Sequence, residues 1–194
     1  PAVVINGVAG IAGDGNGDGL VDSVQEQVVS APFTSSSSNQ DVFVTLVADS
    51  SAGTVNSGST TTFQNIRQEA PPAEKPAALD MPLGLIDFTA TVASVGKTEA
   101  FSLFVDASLG ANGYWKKDAG GVWHNLASEP YGGSTTLVGN KIRLDFQITD
   151  GGRFDNDGIA NGVIVDPGAI GAMPLSVVGY APDVVLTPDS HFFF

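Results

Sequence analysis

Residues Asp14 to Gln25 read DGNGDGLVDSVQ and set oxygen-bearing side chains at Asp14, Asn16, Asp18 and Asp22, with a glycine at Gly19. That spacing is the pattern of a calcium loop. Positions one, three, five and nine turn oxygens inward, Leu20 at position seven offers its carbonyl, and glycine at position six permits the sharp bend. Without a hard cation these side chains repel one another or form a solvated, glycine-rich acidic turn, which is the plain alternative. Position twelve departs from the pattern. A bidentate glutamate is usual there, and this chain has Gln25, with Glu26 one residue late. Either the Gln25 amide oxygen closes the shell, or Glu26 reaches in, or the site is weaker.

A second acidic stretch, DGGRFDNDGIANGVIVD, offers Asp150, Asp155, Asp157, Asn161 and Asp166 as further calcium ligands. It lacks the twelve-residue register, so a pair of Asp-Gly and Asn-Gly turns is the competing reading, with Arg153 neutralising part of the charge. Tyr114, Trp115, Trp123, His124 and Tyr131 form an aromatic group. Exposed tryptophans can stack on sugar rings, whereas a cross-strand pair sealing one end of the core is the favoured reading. Lys116 and Lys117 read as ordinary hairpin-tip charges. Enzyme chemistry finds little support, and the chain is expected not to be an enzyme. It has no cysteine nucleophile, no zinc-ligand spacing and no GxSxG, HExxH or P-loop, and its dense carboxylates sit in glycine-rich turns.

The elements that must position these residues are strands. The 194-residue chain has 24 glycines, 11 prolines, 42% hydrophobic and only 15% charged residues, and no long amphipathic pattern. That composition predicts many turns and short strands around a real core. Lys141 to Thr149 alternates most cleanly, with Ile142, Leu144, Phe146 and Ile148 on one face. Asp41–Ala48, Leu85–Ala93 and Glu99–Asp106 read as strands, and Asn112–Lys117 with Val122–Leu126 as a hairpin across DAGG. Val163–Val165, Leu175–Val178 and Val184–Thr187 complete the set. Ser23 to Ser30 is expected to make two helical turns, and the serine-rich Pro32–Asn39 a connector. Residues 69 to 82 hold four prolines and read as an extended crossover.

A net charge of −13 argues against nucleic acid and anionic lipid, and fits bound divalent cations. No apolar run approaches the ~20 residues of a membrane-spanning helix. Apolar residues 1 to 12 and the terminal HFFF are expected to pack, within the domain or between molecules. The opening Pro1 reads as a processed or excised segment.

Two resemblances follow from these motifs. DGNGDGLVDSVQ resembles the thrombospondin type 3-like calcium repeats of bacterial surface proteins. GYWKKDAGGVWHNLA, followed by YGGSTTLVGNKIRLDFQITDGGRFDNDGIANGVIVDPG, resembles the choice-of-anchor U domain, over about Phe43 to Asp183 and most strongly from Gly113 to Gly168. That resemblance implies export and surface display and supplies no catalytic residues. The chain departs from the family in showing no anchor after Pro182.

The expectation is an all-β chain: a two-sheet antiparallel β-sandwich, jelly-roll-like, over 40–194, preceded by a strand, calcium loop and short helix over 1–39. The expected role is an exported, calcium-binding structural domain of a bacterial surface or extracellular assembly. It would be a homopolymer or filament subunit joined by strand addition through its apolar termini, or would adjoin neighbouring domains. The alternative is an adhesive, glycan-binding module using Trp115, Trp123 and Tyr131.

Overall fold

The computed structural model describes residues 1–174. The expected strands Leu175–Val178 and Val184–Thr187, His191 and the HFFF end lie outside the described residues. Fourteen strands run in order: β1 (Val4–Ile5), β2 (Val8–Ala9), β3 (Val28–Thr34), β4 (Asp41–Ala48), β5 (Ser50–Ser51), β6 (Thr54–Val55), β7 (Thr62–Glu69), β8 (Leu85–Thr91), β9 (Thr98–Asp106), β10 (Gly113–Lys117), β11 (Trp123–Asn125), β12 (Ser134–Val138), β13 (Lys141–Thr149) and β14 (Val163–Gly171). Ten of them build two five-stranded sheets. Sheet I has the order β11-β10-β14-β8-β7 and sheet II the order β12-β13-β9-β4-β3, and every pairing is antiparallel. The two-sheet sandwich is therefore as the composition and alternation lead one to expect.

The core lies between the sheets, because each strand turns one face inward. Ile142, Leu144, Phe146 and Ile148 of β13 meet Phe101, Leu103 and Val105 of β9 and, across the gap, Ile86, Phe88 and Ala90 of β8 with Ile164 and Ile170 of β14. An aromatic file crosses this space. Tyr114 stacks on Phe146 at 3.9 Å, Phe146 on Phe101 at 5.4 Å, and Phe88 lies 5.2 Å from Phe101. Both sheets also carry an outer apolar layer. The proline-rich crossover lays Leu79 and Met81 against Trp115, Ala169 and Met173 on the outside of sheet I. The β5–β6 hairpin sits over Phe104 on the outside of sheet II, where a Cβ at Gly53 would come within 2.5 Å of the ring.

Two local expectations are corrected. Residues 23–30 form no two-turn helix: a single 3-10 turn spans Asp22–Val24, and β3 begins at Val28. The start of the serine-rich connector is likewise strand, since Pro32, Phe33 and Thr34 pair with Phe43, Val42 and Asp41. The physical reason is the β-branched pair Val28–Val29 with Phe33 at strand spacing, which reaches the core as an edge strand and tolerates Pro32 there. The N-terminal apolar segment folds on itself. Val4 pairs with Ala9 and Ile5 with Val8 around an Asn6–Gly7 turn in which both residues have positive φ. Val4 docks on the β12–β13 turn, donating to Asn140 Oδ1 at 2.8 Å and accepting from Asn140 N at 2.9 Å.

Candidate functional site

The acidic loop packs into the junction between the β1–β2 hairpin and sheet II. Asp14, Asn16 and Asp22 are buried. Glycines make the close approach possible: a Cβ on Gly15 would lie 2.0 Å from Thr45 Oγ1 on β4. Asp14 gathers the bend around itself, Oδ1 accepting from the amides of Gly17 (2.6 Å) and Asp18 (3.2 Å) and Oδ2 from Gly19 (2.9 Å). Asp22 Oδ1 accepts from Gly15 N at 2.8 Å, and its Oδ2 from Ser30 Oγ at 2.5 Å. Asn16 donates to Gly53 O at 3.0 Å and so ties the loop to the β5–β6 hairpin. Of the two residues that could close the loop, Gln25 is the one folded in. Its Nε2 donates to Asp18 Oδ2 at 2.8 Å, whereas Glu26 is exposed. Leu20 donates its amide to Asp18 Oδ1 at 2.9 Å.

Two oxygens in this loop are left over. Asn16 Oδ1 and Gln25 Oε1 are buried and accept no hydrogen bond. Buried acceptors without a partner are uncommon and costly. Among the described residues no Lys or Arg pairs with Asp14, Asp18 or Asp22. Nor do three Asp, Glu or His side chains converge there closely enough to hold an ion alone. The donor set is nevertheless all oxygen, mixed carboxylate and amide, and each carboxylate keeps lone pairs beyond those its amide donors use. Such a set fits a hard cation that draws on amide and carbonyl oxygens as well as carboxylates.

The chain matches no family model, no curated protein and no solved structure. The likeness to the choice-of-anchor U domain therefore rests on its motif residues alone.

At the second acidic stretch the geometry is that of turns held by carboxylates. Asp150 accepts from the amides of Gly96 (2.7 Å), Gly162 (2.8 Å) and Asn161 (3.1 Å). Burial pushes its carboxyl up, and these amides outweigh that and hold it below the ordinary range. Asp155 accepts from Gly151 N (2.7 Å) and Val165 N (3.0 Å), yet burial leaves its carboxyl raised. Asp157 and Asn161 bond each other at 3.0 Å on the exposed rim. Asp166 does not join the group. It lies on β14, fully buried, engaged by Lys116 and by the Tyr114 hydroxyl. Arg153 does not neutralise the stretch either: it pairs with Asp118 at 2.5 Å.

The aromatic group divides. Trp115 is only 6% exposed beneath Leu79 and Met81, so it has no free face for a sugar. Trp123 is half-buried beside it, two residue pairs along the hairpin and so on the same outer face of sheet I. Tyr131 belongs to a separate trio, edge-on to His124 and Phe154 at 5.5 and 5.6 Å. Its hydroxyl meets His124 Nδ1 at 2.7 Å, and His124 Nε2 lies 2.9 Å from Asp118 Oδ2. Trp123, Phe154, Lys117 and Arg153 line an open cleft of about 270 Å³.

Lys116 is not a hairpin-tip charge. Its side chain is 2% exposed and points between the sheets. The alternation of Tyr114 with Lys116 on one face of β10 was the signal available for this, since Tyr114 is core.

Proposed function

We propose that this chain is an exported structural domain whose N-terminal junction is locked by calcium. The observation that carries the reading is the pair of unpartnered buried oxygens, Asn16 Oδ1 and Gln25 Oε1, in a loop with three carboxylates and no cationic partner among the described residues. Asp14, Asn16, Asp18, Asp22, Gln25 and the Leu20 carbonyl would hold the ion. The ion would supply positive charge that no side chain among the described residues supplies, fixing the hairpin to sheet II. A mechanical role follows from what the loop joins. It links an apolar hairpin, with Ile5, Val8 and Ile11 exposed, to the sandwich edge. In the finer form of this reading, the hairpin segment of one copy contacts the sheet of the next, and β12, an edge strand with Leu137 exposed, is the receiving edge. The glycan alternative loses Trp115, which Leu79 and Met81 cover on the outside of sheet I.

Thermal melting with calcium against a chelator tests the junction. At a hundredfold excess over Kd, calcium should raise the midpoint by about 5–10 °C. Asp14→Ala should abolish the difference. Identical melts with and without calcium would remove the reading.

A further inference from the structure

Lys116 and Asp166 pair inside the sandwich, with side chains 2% and 0% exposed. They stand on adjacent antiparallel strands. Trp115 lies opposite Ala169, and extending that register sets Lys116 diagonal to Asp166 on the inward face. Tyr114, held flat against Phe146 at 3.9 Å, donates its hydroxyl to Asp166 Oδ2 at 2.7 Å. The Pro167 carbonyl lies 3.4 Å from Lys116 Nζ and helps to aim it. Burial raises the Asp166 carboxyl, against the pull of Lys116 and the Tyr114 bond, and Asp87 pushes the same way as burial. The forms that react with each other are a free amine and a neutral acid, and burial weighs against the ionised carboxyl.

We propose that Lys116 and Asp166 condense into an intramolecular amide that cross-links β10 to β14. A proton passes from the ammonium to Asp166 Oδ1. The Lys116 nitrogen lone pair attacks Asp166 Cγ and forms the C–N bond. Negative charge develops on Oδ2, where the Tyr114 hydroxyl already donates. The Cγ–Oδ1 bond then breaks, and Oδ1 departs as water with the transferred proton and a second one from the nitrogen. An ammonium and a carboxylate become one neutral amide and one water, with no oxidant or other reactant. The product removes two charges from the core, and the same exclusion of water that favours it also protects it from hydrolysis.

Intact-mass measurement of the denatured full chain is the test. The cross-linked chain weighs about 18 Da less than its sequence, the mass of the water lost. Proteolysis should yield a branched peptide joining the fragment with Lys116 to the fragment with Asp166. Lys116→Arg keeps the cation but lacks the amine, and should restore the full mass. Tyr114→Phe should leave a larger fraction of uncondensed chain. A wild-type mass equal to that of the sequence means an ion pair only and overturns the proposal. So does a deficit that persists in Lys116→Arg, as dehydration at an Asp-Gly step would give.

Discussion

A chain with 21 acidic and 8 basic residues cannot match its carboxylates with cations, and this one folds many of them into its own turns. Asp14 and Asp150 each collect three backbone amides, and Asp155 collects two. The consequence appears in acid. Asp150 titrates below the ordinary carboxylate value, so its contribution is present above about pH 4 and is lost as pH falls through its lowered pKa. Asp155, raised by burial, works in the opposite sense and favours the fold as it protonates. Asp150→Asn should therefore lower the urea midpoint at pH 7 and flatten its fall between pH 5 and pH 2. An unchanged pH profile in this variant would show that the loop does not depend on the carboxylate charge. At this scale the sequence revealed the acidic residues but not their partners. Asp166 reads as a fifth member of the second stretch until the strand alternation of β14 turns it inward onto Lys116.

Strand alternation made most elements legible. Lys141–Thr149 is β13 as its pattern demands, and the DAGG hairpin pairs Lys117 with Trp123. The failure at residues 23–30 has a definite cause. A helical period and a strand period both fit a short stretch, and what decided between them was the partner strand β4, which no local pattern displays. Trp115 shows the same limit. Its burial comes from Leu79 and Met81, which arrive from a crossover far away in sequence. Close approach between elements is also a long-range property. A Cβ at Gly133 would lie 2.0 Å from Leu126 O and 2.4 Å from Asp145 O, both backbone atoms that cannot swing aside. Gly133→Ala should cost about 1–3 kcal/mol or more by overpacking, measured by denaturant unfolding. Gly19→Ala has open space around it and a φ of +93°, so its cost should be confined to backbone strain of about 1 kcal/mol.

For the whole molecule, the two sheets, the capped outer faces and the docked hairpin leave the apolar side chains of β1, β2 and the loop as the surface most in need of a partner. Ile5, Val8, Ile11, Leu20 and Val24 are all exposed. Deleting residues 1–10 should preserve cooperative unfolding of the sandwich while reducing self-association in sedimentation at high protein concentration. Unaltered behaviour after the deletion would remove the hairpin from the proposed assembly. Among the described residues no helix is long and apolar enough to cross a membrane.

The strand order also sets a timetable. Among the described residues β14 is the last of the fourteen strands, yet it lies third in sheet I, between β10 and β8. Until Gly171 has emerged from the ribosome, sheet I exists only as two separate hairpins with no strand to join them. Nascent chains that stop short of β14 therefore have no route to the finished sandwich. Final closure waits on pairings between residues distant in sequence, and such folds assemble slowly.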